Sequence, residues 1–146
     1  MDELDRQLLR LLQLDGRASF RELADSVTLS PNAVAERVRK LRTSGVISGI
    51  HAHVDPAATG RGMRAYLDVF LAAGVQGADF EAMALAIDGV MEVAHVTGRA
   101  DYVMAVAVRD AADLDRLLGE LKADRQVAAT ESRIVLRRAG STIPLP

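Results

Sequence analysis

Residues 17–45 read RASFRELADSVTLSPNAVAERVRKLRTSG, and two helix starts stand inside them. Ser19 followed by Glu22 is a capping box, in which the serine oxygen and the glutamate carboxylate each take up a backbone N–H that a helix start leaves without a partner. Ser30-Pro31 is the second start: serine is a preferred N-cap, and proline at the first helical position gives up a hydrogen bond that was never available there. The spacing predicts one helix from Phe20 to about Ser26 that buries Phe20, Leu23 and Ala24. The next runs to about Thr43, ends before Gly45 and turns Val34, Val38 and Leu41 inward. Upstream, Leu4, Leu8, Leu11 and Leu12 form the stripe of a helix that reaches Leu14 and stops at Asp15-Gly16. Residues 1–45 therefore read as a helix-turn-helix.

The outward side of the last helix carries the chemistry. Asn32, Ala35, Glu36 and Arg39 line it, flanked by Arg37 and Lys40. A recognition helix places base-reading side chains toward its N-terminal half and cations where phosphates pass. On that ground Ser30, Asn32, Ala35, Glu36, Arg37, Arg39 and Lys40 are the expected contacts to double-stranded DNA. The cationic character is local: Arg37, Arg39, Lys40 and Arg42 crowd together although the whole chain has a formal net charge of −2.

Working outward, Val46–Val54 alternates as an extended segment, Asp55-Pro56 breaks it, and Ala57–Gly62 reads as a hinge, so residues 46–62 form a linking strand and hinge. Residues 63–146 follow a β-α-β-β-α-β order. Strands are expected at Ala65–Leu71, Val90–Thr97, Tyr102–Val108 and Val127–Arg138, with helices marked by Phe80, Met83, Ala84 and Ile87 and by Leu114, Leu117, Leu118 and Leu121. The fold class is α+β: a winged N-terminal helix-turn-helix domain joined by a strand to a ferredoxin-like domain. Tyr102–Val108 is apolar on both faces, and two helices cover only one face of a four-stranded sheet. The other face is expected to pack on a second copy, making a homodimer whose two-fold axis suits a palindromic operator.

Several classes drop out. The chain of 146 residues has no cysteine, which removes disulfide scaffolds, thiolate metal sites and cysteine nucleophiles. Its start, Met1-Asp2-Glu3, lacks the basic character of a secretory signal, and its longest apolar run, Tyr102–Val108, is strand-sized. A soluble cytoplasmic protein with no membrane partner is expected. Gly60-x-Gly62-x-x-Ala65 precedes a strand, where a dinucleotide fingerprint would open a helix. His51-x-His53 has no third ligand near it, and no serine, histidine and acid suggest a triad. Catalytic residues, metal ligands and a resident cofactor are all read as none. Gly140-Ser141-Thr142 is turn chemistry.

Leu4-Asp5-Arg6-Gln7-Leu8-Leu9, Gly16-Arg17-Ala18-Ser19, Leu23-Ala24, Leu29-Ser30-Pro31, Arg37-Val38-Arg39-Lys40-Leu41, Gly45-Val46-Ile47 and Gly98-x-x-Asp101-Tyr102 together resemble the Lrp/AsnC family of feast/famine transcriptional regulators, over essentially the whole chain. The resemblance implies an N-terminal DNA-binding domain and a C-terminal domain that oligomerises, as dimers and often rings of dimers, and senses an amino-acid effector between dimers. It carries the effector site to Gly98, Asp101 and Tyr102 of the hairpin and to Thr130 and Ser132 of the last strand, and Arg99 beside them is a further candidate on its chemistry. Asp101 suits an α-ammonium, and backbone N–H groups of the glycine turn, or Arg99, suit a carboxylate. The same glycine and aspartate equally suit a tight hairpin for conformational reasons. Ala33 departs from the family, which commonly has a hydroxyl residue there for the DNA backbone. Sirohaem decarboxylases resemble the family as well, and an enzyme of that kind is the alternative. An enzyme has no use for the cationic helix face.

Overall fold

The computed structural model of the chain describes residues 1–139, which divide into two units, Met1–His53 and Val54–Arg138. The turn signal at Gly140-Ser141-Thr142 lies outside the described residues.

The first unit is three helices, α1 (Glu3–Leu14), α2 (Phe20–Val27) and α3 (Pro31–Thr43). Each start is capped as its sequence requires. Asp2 and Asp5 form a reciprocal box on α1, Ser19 and Glu22 form one on α2, and Ser30 Oγ accepts from the Ala33 N–H at 3.2 Å with Pro31 at N1 of α3. Leu8, Leu23, Ala24, Val27, Val34 and Val38 form the core, with Leu4, Leu11, Leu12 and Ile47 packed around it. Thr28 ends α2 in the left-handed region (φ 56°), a conformation a β-branched residue rarely adopts, and the Leu29 N–H then closes onto the Ala24 carbonyl.

Two expectations fail in this unit. Phe20 is 46% exposed. Its angular position on α2 is right, but it sits on the first turn and is not among the side chains packed on the core. Val46–Val54 is not a strand and builds no wing after α3. Alternation supplies a stripe, with Val46, Ile50 and Val54 all about half exposed or more, but a ladder needs a second strand and none of the described residues pairs with it.

The second unit holds a 3₁₀ turn (Pro56–Thr59), β1 (Met63–Leu71), α4 (Gly77–Ala86), β2 (Val90–His95), β3 (Tyr102–Val108), α5 (Ala111–Ala123) and β4 (Val127–Ile134). The sheet order is β2-β3-β1-β4, every neighbour antiparallel, as a split β-α-β unit demands. The outer strands are shorter than the periodicity predicts: β2 stops at His95 and β4 at Ile134. Ala65, Leu67 and Val69 of β1 and Tyr102, Met104, Val106 and Val108 of β3 share one face with Phe80, Ala84, Leu114, Leu117 and Leu121 of the helices. Burial of each large apolar side chain there contributes about 1.5–3 kcal/mol. The opposite face presents Tyr66, Phe70, Val103 and Ala105, of which Tyr66 is 45% exposed. Gly89 turns into β2 at φ 99°, and an added Cβ would meet the Ala107 carbonyl at 3.0 Å, so only glycine fits both the angle and the space.

Asp113 is a nearly buried carboxylate on α5. It accepts from the Arg109 side chain and backbone N–H and from Arg116 Nε at 2.9 Å. These bonds, led by those from the Arg109 guanidinium, hold its carboxyl well below the usual carboxylate range. A depressed folded value contributes stability above the unfolded value, near pH ~4, and loses it as pH falls toward the folded one. Asp113→Asn is therefore expected to melt below the native chain at neutral pH, with the gap closing under acid. A melting gap that stays constant from neutral pH into acid would show that the charge is not the cause.

Candidate nucleic-acid interface and ligand hairpin

The caps of α2 and α3 and the buried Val34, Val38 and Leu41 fix how α3 is rotated, and this turns Asn32, Glu36, Arg39 and Lys40 to the exposed side, with Ala35 half-buried beside them. Ser30, read as a DNA contact, accepts from the Ala33 N–H as the N-cap, which leaves its O–H as a donor. Arg37 does not join that face as expected. Its Nη1 donates to Asp2 Oδ2 at 2.7 Å and to Asp5 Oδ1 at 2.8 Å, so its guanidinium ties α3 to the first turn of α1. Hydrogen bonds to Asp2 and then Asp5 raise the affinity of Arg37 for its proton, and Asp2 is correspondingly lowered, first by the Asp5 N–H and then by Arg37. Arg37 lies half-way between the faces of α3 and is drawn to the side that holds opposite charge.

Glu36 gathers Arg39 and Lys40. It accepts from Arg39 Nε at 2.9 Å and Arg39 Nη2 at 2.7 Å, and Lys40 Nζ lies 3.8 Å away. The hydrogen bonds from Arg39 lower the carboxyl of Glu36 and raise Arg39 in turn. This arrangement was legible as i,i+3 and i,i+4 spacing, although the sequence reading did not use it. The Asp2 and Asp5 pairing with Arg37, across more than thirty residues of chain, carried no such signal.

In the second unit, the hairpin between β2 and β3 closes over the end of β1. The Asp101 N–H donates to the Val69 carbonyl at 3.0 Å, and Asp101 Oδ2 accepts from the Leu71 N–H at 2.8 Å. One carboxylate oxygen of Asp101 is thus a fastener, which accounts for an aspartate there without any ligand. Gly98 takes φ 128°, and Arg99 reaches toward Glu131 of β4 at 3.9 Å. Gly98, Arg99 and Asp101 are exposed.

Tyr102 does not belong with them. It is 2% exposed, its hydroxyl donates to Glu81 Oε1 at 2.8 Å, and its ring packs against Phe80 and stacks on His95. As the first residue of β3 it falls on the helix-facing side of the strand, so the effector contact read there is a core side chain. The Glu81 hydrogen bond and then burial raise its phenol above the ordinary tyrosine range. Gly77 makes this possible, since a Cβ there would stand 2.4 Å from the Tyr102 hydroxyl. Thr130 and Ser132 pair with Val69 and Leu67 and take the helix-facing phase of β4, whereas Glu131 and Arg133 take the other, where Arg133 pairs with Asp68. Among the described residues no group of three or more side chains could hold a metal ion, and no helix is long and apolar enough to cross a membrane.

Two family models match the chain: the AsnC-type helix-turn-helix domain over residues 1–42 and the Lrp/AsnC ligand binding domain over residues 64–145. The chain is 34% identical to the HTH-type transcriptional regulator AldR of Mycolicibacterium smegmatis, with 99% of this chain and 86% of that protein covered. It is 33% identical to the HTH-type transcriptional regulator FL11 of Pyrococcus abyssi, with 100% and 96% covered. Among solved structures, the transcriptional regulator NMB0573 of Neisseria meningitidis in complex with L-Met superposes with a TM-score of 0.93 at 26% identity, covering 100% of this chain and 96% of that one.

Proposed function

The chain belongs to the Lrp/AsnC family of transcriptional regulators, and from that membership we propose that it acts as a cytoplasmic homodimeric operator-binding protein whose DNA binding and further assembly respond to an amino acid. The observation that carries this reading is the capped helix-turn-helix with an exposed Asn32, Glu36, Arg39 and Lys40 face in one chain with a ligand-binding domain. Sheet-face pairing through Tyr66, Phe70, Val103 and Ala105 would make the dimer, since those side chains are apolar and outside the core. Two recognition helices related by a two-fold axis then meet successive major-groove half-sites. The effector is read at the hairpin, where Asp101 has a second carboxylate oxygen for an α-ammonium and Arg99 has a cation for a carboxylate. The Neisseria relative, solved with L-Met, supports an amino acid as the class. Neither a resident cofactor nor catalysis has a part in this reading.

The test is binding of the purified chain to a random-sequence duplex pool over a salt series, repeated with each amino acid present. Enrichment of a defined sequence, lost steeply as salt rises, is the expected result. Failure to enrich any sequence from a folded dimer would reject it and turn attention to a bound tetrapyrrole. Asp101→Asn keeps an acceptor for the Leu71 N–H but removes the charge, so the amino-acid response is expected to vanish while the hairpin and DNA binding persist. A variant that responds normally would take Asp101 out of the effector site.

A further inference from the structure

Arg39 and Lys40 are exposed cations of α3, as is Arg42 in its last turn, and the first two converge on one carboxylate, Glu36. Arg39 meets it side-on through Nε and Nη2, and Lys40 stands 3.8 Å from the same Oε1 that holds Nη2. The side chains of Glu36, Arg39 and Lys40 are 47%, 64% and 71% exposed, so no buried charge requires this arrangement. Exposed pairs of this kind contribute little to helix stability. Their consequence lies in what the guanidinium can still reach. Its Nε/Nη2 edge is occupied, while Nη1 and the second hydrogen of Nη2 form a second, end-on edge held in a fixed plane.

We infer that Glu36 is a specificity determinant of the DNA interface: it positions Arg39 for a base edge and withdraws the charge of Arg39 and Lys40 from phosphates, so that non-cognate DNA is held weakly. The inference rests on the DNA-binding reading above. A phosphate can take the side-on fork only by displacing the Glu36 carboxylate, and at the end-on edge it meets a guanidinium whose charge Glu36 already offsets, with like-charge repulsion from the carboxylate besides. The O6 and N7 acceptors of a guanine can instead take the end-on edge without breaking the pair. Phosphate contacts are the same on every sequence, so an anion that weakens them lowers non-cognate affinity more than cognate affinity. With Arg37 engaged by Asp2 and Asp5, Glu36 governs two of the three other cations of α3, Arg39 and Lys40, and leaves Arg42.

The experiment uses the full chain, a duplex enriched by the native protein from a random pool, and a shuffled version of that duplex. Glu36→Gln is expected to bind the shuffled duplex about five- to tenfold more tightly, with the slope of log affinity against log salt steeper by about one. Affinity for the enriched duplex should change less, so that discrimination falls. In an Arg39→Lys background the same substitution should have a smaller effect, because lysine cannot make the side-on fork. Unaltered shuffled-duplex binding and salt slope would overturn the proposal. So would a loss confined to the enriched duplex, which would make Glu36 itself a base acceptor, and so would an undiminished effect in the Arg39→Lys background. A native chain that enriches no duplex would instead remove the DNA-binding reading and this inference with it. Unchanged helicity and melting of Glu36→Gln separate these effects from misfolding.

Discussion

Met104→Lys is expected to leave no folded sheet unit, whereas Val103→Lys, one residue earlier, is expected to fold and lose the proposed pairing with a second copy. Met104 is fully buried in the core between the sheet and the two helices. The core cluster around it is built of apolar and aromatic side chains, and an uncompensated charge in such a site costs several kcal/mol, comparable with the whole stability of a small domain. Val103 lies on the opposite face of β3, half-buried beside Ala94 and Asp68 in register. A lysine there reaches solvent in the single chain but would set like charge against like across the proposed two-fold sheet-to-sheet contact. Circular dichroism and sedimentation read the two outcomes. A well-folded Met104→Lys would reject the face assignment. A Val103→Lys chain with native assembly size at every concentration would reject pairing through that face.

The second large effect is expected from Leu8→Ala. Leu8 is fully buried at the centre of the three-helix unit. Truncating a leucine in such a site costs about 3–5 kcal/mol through lost transfer energy and the residual cavity. A unit of this size, Met1–His53, is itself stable by roughly 3–8 kcal/mol, so most of that margin disappears. DNA binding should be lost with the order of α3, while the sheet unit stays folded. Leu14→Ala on the same helix is the control, because Leu14 is 67% exposed. Calorimetry alongside DNA binding checks the pair: Leu8→Ala should lower one transition and spare the other. Equal damage from Leu14→Ala, or none from Leu8→Ala, would contradict the packing described for this unit.

Much of the architecture was written locally. The caps at Ser19 and Ser30, proline at N1 of α3, and the leucine and valine stripes set the helices to within a residue or two, because each signal acts through its own turn. Tyr102–Val108 was equally plain as a strand. What remained hidden depended on neighbours distant in sequence. Both faces of that strand are apolar, so nothing local says that Tyr102, Met104 and Val106 turn toward the helices and Val103 and Ala105 away; the partners α4 and α5 decide it. Phe20 has the right phase for burial and only the extent of the core leaves it exposed.

The candidate sites divide in the same way. Composition and spacing were enough to place a cationic, capped helix at residues 31–43 and a glycine hairpin ending in Asp101, since helix faces and tight turns follow from short-range geometry. Only the tertiary structure decided that Arg37 is spent on Asp2 and Asp5, that Tyr102 gives its hydroxyl to Glu81, and that Asp101 fastens the end of β1. Each of these is a hydrogen bond between groups far apart along the chain. A side chain's local pattern says which way it can point, but the strongest available partner, brought near by folding, determines where it goes.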